Sequence, residues 1–274
     1  MAAPLVTLSS DLGWAYAAQM KAVLYRTLPP GSVVDLAHDL PPHAVEVSAF
    51  LLREMASRFP PGTIHVGVVD PGVGGRRAPI AAGCRDGSFL VGPDNGLLSP
   101  LAERLGVARV VRLAATHSRT GATFDGRDLF APAAAALARG VELARLGRPT
   151  RLTRLVLPEP KRHGQRLVGQ VVWVDPFGNL LTNLSSDWLR AKVGAVTVLV
   201  AGRRRRVAVV RVYEDLPRGS VGVLPSSFGL LELAVRGSSA ALHWNVDVGA
   251  RVQIATAAAA VPAELRRRPR SARR

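Results

Sequence analysis

Thr63-Ile64-His65-Val66-Gly67-Val68-Val69-Asp70-Pro71-Gly72-Val73-Gly74-Gly75-Arg76-Arg77 carries the plainest structural signal in the chain. Its first seven residues are a mostly apolar, β-branched run of the kind found in strands buried on both faces, and the run breaks abruptly at an acid, a proline and three glycines. Working upstream, residues 5–9 and 32–36 read as two more short strands. Each is followed by a helical pattern, at 14–27 and at 42–58, where Val45, Ala49, Leu52 and Met55 recur at helical spacing. Downstream, strand character returns at 89–91 and 108–113 and helical character at 97–105 and 130–139. Strands alternating with helices predict an N-terminal α/β domain over residues 1–150, with a mostly parallel sheet and helices on its faces. In such sheets ligands gather beyond the carboxyl ends of the strands, so residues just after strands carry the functional interest.

The texture changes after residue 150. Residues 151–166, with Pro158, Pro160 and Gly164 amid charges, read as a linker. Beyond it, β-type runs at 167–174, 195–200, 207–212, 220–224, 230–235 and 250–254 are separated by turn residues and show little helix. They predict a smaller C-terminal all-β domain over 167–262, a barrel or a sandwich. The Arg-rich tail at 263–274 is expected to be disordered.

Composition narrows the function classes. The chain has 274 residues, 48% of them hydrophobic, which supports a folded core and argues against wholesale disorder. Ten units of the +16 net charge lie in Arg203, Arg204, Arg205 and Arg206 and in Arg266, Arg267, Arg268, Arg270, Arg273 and Arg274. With only Lys21, Lys161 and Lys192 as lysines, genome composition explains this bias as well as selection for a polyanion does. Aromatic residues are 5% of the chain and none interleaves with the Arg runs, which argues against nucleic acid. No stretch of about 18 apolar residues predicts a membrane span. Cys84 is the single cysteine, so an intrachain disulfide is excluded. With no export signal visible, a reducing cytoplasm is expected.

Four clusters combine chemistry with a post-strand position. Asp11, in Ser10-Asp11-Leu12-Gly13, can accept both hydroxyls of a ribose or can cap the helix that follows. Asp70 opens the glycine-rich loop quoted above. That loop lacks the lysine and spacing of a phosphate loop, and its acid is either a catalytic group or half of an ion pair within a tight turn. Val91-Gly92-Pro93-Asp94-Asn95-Gly96 and Thr123-Phe124-Asp125-Gly126-Arg127-Asp128 form the third pair, each with strong turn chemistry, and Asp128 can cap the next helix. The fourth, Asp175-Pro176-Phe177-Gly178-Asn179, offers a carboxylate, an aromatic face and an amide suited to an amine and a purine, or it is a surface loop. His38, His43, His65, His117, His163 and His243 show no metal-ligand spacing, and no metal is expected. His65, inside a strand, reads as a satisfied core residue. No Gly-x-Ser-x-Gly elbow is present.

In one order along residues 5–250, these segments resemble the S-adenosylmethionine (SAM) hydroxide adenosyltransferases, or SAM hydrolases, relatives of the fluorinases and chlorinases. The matching blocks are Leu8 to Gly13, Val34 to His38 with Pro41-Pro42, Gly62 to Gly74, Val91 to Leu98, Gly126-Arg127-Asp128 with Phe130-Ala131-Pro132, Asp175 to Asn179 with Thr182-Asn183, and Ser227 to Glu232. The resemblance implies an α/β domain followed by a β domain, in a homotrimer whose active sites lie between subunits. It implies attack of water or hydroxide at C5′ of SAM, giving adenosine and L-methionine, with SAM as substrate and no cofactor. By position, Asp11 would hold the ribose hydroxyls, Phe177 and Asn179 the adenine, and Asp175 and Ser227 the amino-acid end. Asp70 and Arg77 match two of the residues that organise the water, whereas the family's usual histidine is here Asp125. Two outcomes follow from that exchange: Asp125 serves as a carboxylate base, or the chain binds SAM or adenosine with little or no turnover. A halogenase is disfavoured, because a carboxylate near the nucleophile repels halide.

Overall fold

The computed structural model describes residues 4–114, 123–189 and 194–256. The tail at 263–274 and His117 lie outside these residues. The chain divides into two compact units that part between Leu157 and Pro158.

In the first unit, strands β1 (Val6–Ser10), β2 (Val33–Ala37), β3 (Ile64–Val68), β4 (Pro79–Cys84), β5 (Phe89–Pro93), β6 (Val107–Leu113) and β7 (Gly147–Pro149) form one sheet, ordered β2-β1-β3-β5-β4-β6-β7. β2, β1, β3 and β5 are parallel to one another, β4 runs against β5 and β6, and β7 runs against β6. Five of the seven strands therefore point the same way, as the strand–helix alternation predicted. Every residue of β1 and β3 is buried, because helices cover both faces. On one face Met20 and Leu24 of α1 (Trp14–Leu24), and Phe130 with α4 (Ala131–Ala138), pack on Val6, Leu8, Val66 and Val91. On the other, a Cβ at Gly67 would stand 3.0 Å from Leu52 of α2 (Val45–Ala56) and 3.2 Å from Leu98, just ahead of α3 (Ser99–Leu105). β3 and β5 approach so closely that a Cβ at Gly92 would lie 2.3 Å from the Gly67 carbonyl oxygen, which restricts the position to glycine.

The second unit contains β8 (Lys161–His163), β9 (Arg166–Val174), β10 (Leu180–Ser185), β11 (Gly194–Val200), β12 (Arg203–Val209), β13 (Val221–Pro225), β14 (Leu230–Val235) and β15 (Arg251–Thr256). Their order is β10-β14-β13-β12-β11-β15-β9-β8, and β9 also pairs with β10, which closes the sheet into the barrel anticipated for this region. Val171, Leu180, Val196, Val198, Leu231, Leu233 and Ile254 belong to its core. A short helix, α5 (Ala240–Trp244), is capped by Ser239, whose Oγ accepts from the Leu242 N–H at 3.1 Å.

Several elements differ from the sequence expectation. β4 was not anticipated: it opens on a proline, holds Gly83 and shows no alternation, yet it is held between β5 and β6. β10 was also missed, because the polar Thr182 and Asn183 interrupt its pattern. Both are satisfied internally, Thr182 Oγ1 donating to the Leu231 carbonyl at 2.7 Å and Asn183 Oδ1 accepting from the Gln170 N–H at 2.9 Å. β8 forms inside the stretch read as linker, and β12 begins four residues earlier than expected, incorporating the four arginines through pairing with β11.

Candidate active site

β1 and β3 are parallel neighbours, so their carboxyl ends lie side by side and deliver Asp11 and Asp70 to one cavity of about 200 Å³, which Phe124 and Asp125 also line. Asp11 is not a helix cap: the N-cap of α1 is Gly13, and no side chain caps the helix. Instead Asp11 Oδ2 accepts the His43 N–H at 3.0 Å, while Oδ1 is buried without a hydrogen-bond partner. His43 holds a left-handed backbone, φ 62°, to present that N–H. Below Asp11, Ser10 Oγ and His38 Nδ1 lie 3.0 Å apart, His38 Nε2 meets Asp35 Oδ1 at 2.9 Å, and Lys21 Nζ donates to Asp35 Oδ2 at 2.7 Å. Burial alone would raise the Asp35 carboxyl's pKa, but hydrogen bonds from Lys21 and His38 outweigh it and hold the group below its ordinary value.

The loop after β3 folds back through bonds from the Val73 N–H to the Asp70 carbonyl and from the Gly75 N–H to the Gly72 carbonyl, which returns Arg77 onto Asp70. Arg77 Nε donates to both Asp70 oxygens, at 3.0 and 2.8 Å; its Nη2 donates to Asp70 Oδ2 and, at 2.5 Å, to Asp125 Oδ2. The side chains of Arg77, Asp70 and Asp125 are only 10%, 5% and 2% exposed, so one guanidinium serves two buried carboxylates. Burial works to depress the Arg77 pKa, but its hydrogen bonds to the Asp70 and Asp125 carboxylates outweigh it and raise it above its ordinary value. The guanidinium also stands 5.6 Å from the centre of the Phe130 ring. Asp125 opens a widened, π-type turn over Gly126–Phe130, a feature often found at functional sites. Asn95 ties the exit of β5 to this centre, its Nδ2 donating to the Val69 carbonyl at 2.8 Å. Asp128 pairs with Arg127 at 2.6 and 3.0 Å, and α4 has no side-chain cap.

His65 is the core residue the sequence suggested: 1% exposed, with Nδ1 2.8 Å from Thr7 Oγ1 and a pKa lowered to about 4 by burial. Cys84 is buried too, and burial pushes its thiol up to about 12, in keeping with the small core residue the sequence suggested.

In the barrel unit, Asp175 is engaged in its own turn. Its Oδ1 accepts the N–H groups of Phe177 and Asn179, at 2.9 and 2.8 Å, and its Oδ2 accepts Asn179 Nδ2 at 2.9 Å. Gly178, at φ 81°, lies so close to the cap of α5 that a Cβ would fall 2.1 Å from Ser239 Oγ. The turn holds Phe177 80% exposed at its tip. Asp175, Asn179 and Ser227 line one cavity of about 300 Å³, and Phe177 borders an adjoining one with Asp175 and Asn179. Arg211, Tyr213 and Glu232 also line the first cavity and were assigned no role from sequence. The available signal was an acid in the middle of the otherwise apolar strand β14.

Among the described residues no group of three or more His, Cys, Asp or Glu is arranged to hold a metal ion, and no helix is long and apolar enough to cross a membrane. Residues 6–147 match the SAM hydroxide adenosyltransferase N-terminal domain and residues 169–253 its C-terminal domain. The chain belongs to the SAM hydroxide adenosyltransferase family. A family member from Thermus thermophilus, named (R)-S-adenosyl-L-methionine hydrolase, is 41% identical over 259 residues, which cover 89% of this chain and 97% of that protein. One of the same name from Salinispora tropica is 35% identical, covering 92% and 97%. A fluorinase from Nocardia brasiliensis is more distant, at 27% identity over 92% of this chain and 96% of its own. The crystal structure of an uncharacterized conserved protein from Thermotoga maritima superposes with TM-score 0.84 and 32% identity, covering 92% of this chain and all of that one.

Proposed function

We propose that this SAM hydroxide adenosyltransferase hydrolyses SAM to adenosine and L-methionine, with Asp70, Arg77 and Asp125 as its catalytic residues. The observation that carries the reading is the Asp70–Arg77–Asp125 centre, set in one cavity with Asp11 at the carboxyl ends of β1 and β3, in a chain 41% identical to a protein named as a SAM hydrolase.

The chemistry asks little of the protein beyond positioning. The C5′–S bond breaks with its electron pair going to sulfur, so the sulfonium leaves as the neutral thioether of methionine and needs no proton. A water oxygen bonds to C5′ and its proton passes to a carboxylate. The site therefore has to hold one water in line behind C5′ and orient its lone pair. Asp125 serves as the acceptor, Asp70 fixes Arg77, and Arg77 bridges the two carboxylates at one place. Asp11, whose buried Oδ1 lacks a partner, accepts the ribose hydroxyls. Phe177 stacks on adenine, Asn179 hydrogen-bonds it, and Asp175 with Ser227 meets the amino-acid end.

The secure hold of Arg77 on Asp125 weighs against binding without turnover, because the carboxylate occupies an organised position where the family's usual histidine stands. Halogenation is disfavoured by the same acids, which repel a halide nucleophile. We further propose a homotrimer with active sites completed between subunits, since each unit carries only part of the recognition set. A cytoplasmic location suits the lone buried thiol. SAM is consumed as substrate, with no cofactor or nucleic acid taking part. Incubation of the purified protein with SAM in chloride buffer, followed by chromatographic separation, tests the reaction: adenosine is expected, and 5′-chloroadenosine in its place would transfer the chain to the halogenases.

A further inference from the structure

The loop that carries Asp11 is held by a histidine that the proposed reaction does not use. His38 directly follows β2, and its side chain is fully buried. The Asp35 carboxylate, kept ionised against its burial by Lys21 and His38, can only accept, so the His38 Nε2 that it meets at 2.9 Å carries a proton. In the neutral ring Nδ1 is then the acceptor, and the Ser10 hydroxyl donates to it at 3.0 Å. The Trp14 ring stands edge-on to the imidazole, 5.0 Å between centres. Both ring nitrogens are thus committed, and the imidazole has one orientation.

Ser, His and Asp are also the parts of a nucleophilic triad, but that use is closed to these three. Ser10 is 1% exposed, and neither Ser10 nor His38 borders the cavity that Asp11 lines, so no substrate atom reaches the hydroxyl. What the network does grip is the backbone on either side of Asp11. The Leu40 N–H donates to the Ser10 carbonyl at 3.2 Å, and the Gly13 N–H donates to the His38 carbonyl at 3.0 Å. Pro41 and Pro42, each with a fixed φ, carry the same segment on to His43, whose N–H holds Asp11 Oδ2 at 3.0 Å. Asp11 Oδ1 is left buried and without a hydrogen-bond partner. Leaving an acceptor in that state is costly, and a carboxylate free to rotate would turn it toward a donor or toward water. An apolar side chain at position 38 would fill the same space at lower desolvation cost, so what the imidazole adds is direction.

We propose that His38 is a positioning residue for ribose recognition: fixed by Asp35, it holds Ser10 and thereby aims Asp11 Oδ1 at the ribose hydroxyls. This rests on Asp11 as the ribose acceptor. His38 itself touches no part of the substrate. Breaking its bond to Ser10 releases the direction of the Asp11 carboxylate and leaves the adenine contacts proposed for Phe177 and Asn179 in place, so the loss falls on the hydroxyls alone.

Calorimetry on the full-length protein with adenosine and 2′,3′-dideoxyadenosine tests the assignment, because the two probes share the base and differ at the hydroxyls. The wild type is expected to prefer adenosine at least tenfold, and Asp11→Ala to lose that preference. Ser10→Ala and His38→Leu should each reduce it to within about threefold, while 2′,3′-dideoxyadenosine binds as it does to the wild type. Either variant keeping the full preference overturns the proposal. Equal weakening of both probes, or loss of all binding in both variants, overturns it as well, since His38 would then serve the fold alone. A wild type that does not discriminate, or an Asp11→Ala protein that still does, removes Asp11 from the ribose and the proposal with it. If the preference depends on Asp11, Ser10 and His38 but SAM is never turned over, the positioning role stands and the hydrolase reading falls.

Discussion

Removing the guanidinium of Arg77 leaves Asp70 and Asp125, 5% and 2% exposed, facing each other in a cavity without the cation that joins them. A charge pair at this separation is worth about 4 kcal/mol at the effective dielectric of a protein interior, and breaking one partner of a buried pair costs about 3–5 kcal/mol. Arg77→Met is therefore expected to lower stability by about 4 kcal/mol at pH 8, a fall in melting temperature of roughly 10 °C for a protein of this size. The sign of the pH dependence follows from proton uptake. In the variant the cheapest relief is protonation of one facing carboxyl, so its folded state binds protons more readily than its unfolded state and recovers stability as pH falls. Thermal melts of wild type and variant at pH 8 and pH 5 should show a wide gap that narrows in acid. Equal melting temperatures at pH 8, or a gap that is the same at both pH values, would show that Arg77 is not what permits two charged acids there.

Other outcomes are expected. The imidazole of His65, with a pKa of about 4 in the fold, stays neutral while its unfolded counterpart takes a proton near pH 6.5; stability is thus lost as pH falls from 6.5 to 4, by about 3 kcal/mol. Urea titrations at pH 7.5 and 4 should show His65→Gln losing correspondingly less than wild type over that interval. Gly92→Ala places a methyl 2.3 Å from the Gly67 carbonyl oxygen and should cost about 3 kcal/mol or more, read as poor soluble yield or a lowered urea midpoint. Asp125→His should retain turnover of SAM within about tenfold, with a pH–rate profile that gains a group titrating near 6.5; an unchanged profile would remove Asp125 from the reacting centre.

Much of this was legible beforehand because two simple regularities dominate. Buried parallel strands write themselves as apolar runs, and two acids of the proposed site, Asp11 and Asp70, follow such runs directly. The resemblance pointed to Phe177, Asn179, Ser227 and Asp125 by position, which is the basis of the roles proposed for them. What the residues alone left open was direction: by itself Asp11 read somewhat more as a helix cap than as a ligand group, and the Gly13 N-cap with the His43 N–H on Asp11 shows that it does not cap α1. β10 was not read as a strand, and Glu232 closed a matching block without a role, for a related reason: a polar residue in a strand looks like an interruption until its partner, the Leu231 carbonyl or the Tyr213 hydroxyl, is known. Both partners lie far along the chain, where spacing carries no information.

The most direct test of the hydrolytic centre is the single-enzyme turnover of SAM by wild type and Asp125→Asn, a change that keeps the side chain's shape and removes its charge. Equal amounts of adenosine and L-methionine are expected from the wild type, with a rate about 100-fold or more lower in the variant, the usual contribution of a positioned base. Intact SAM at high wild-type concentration, or indistinguishable rates for the two proteins, would contradict the account.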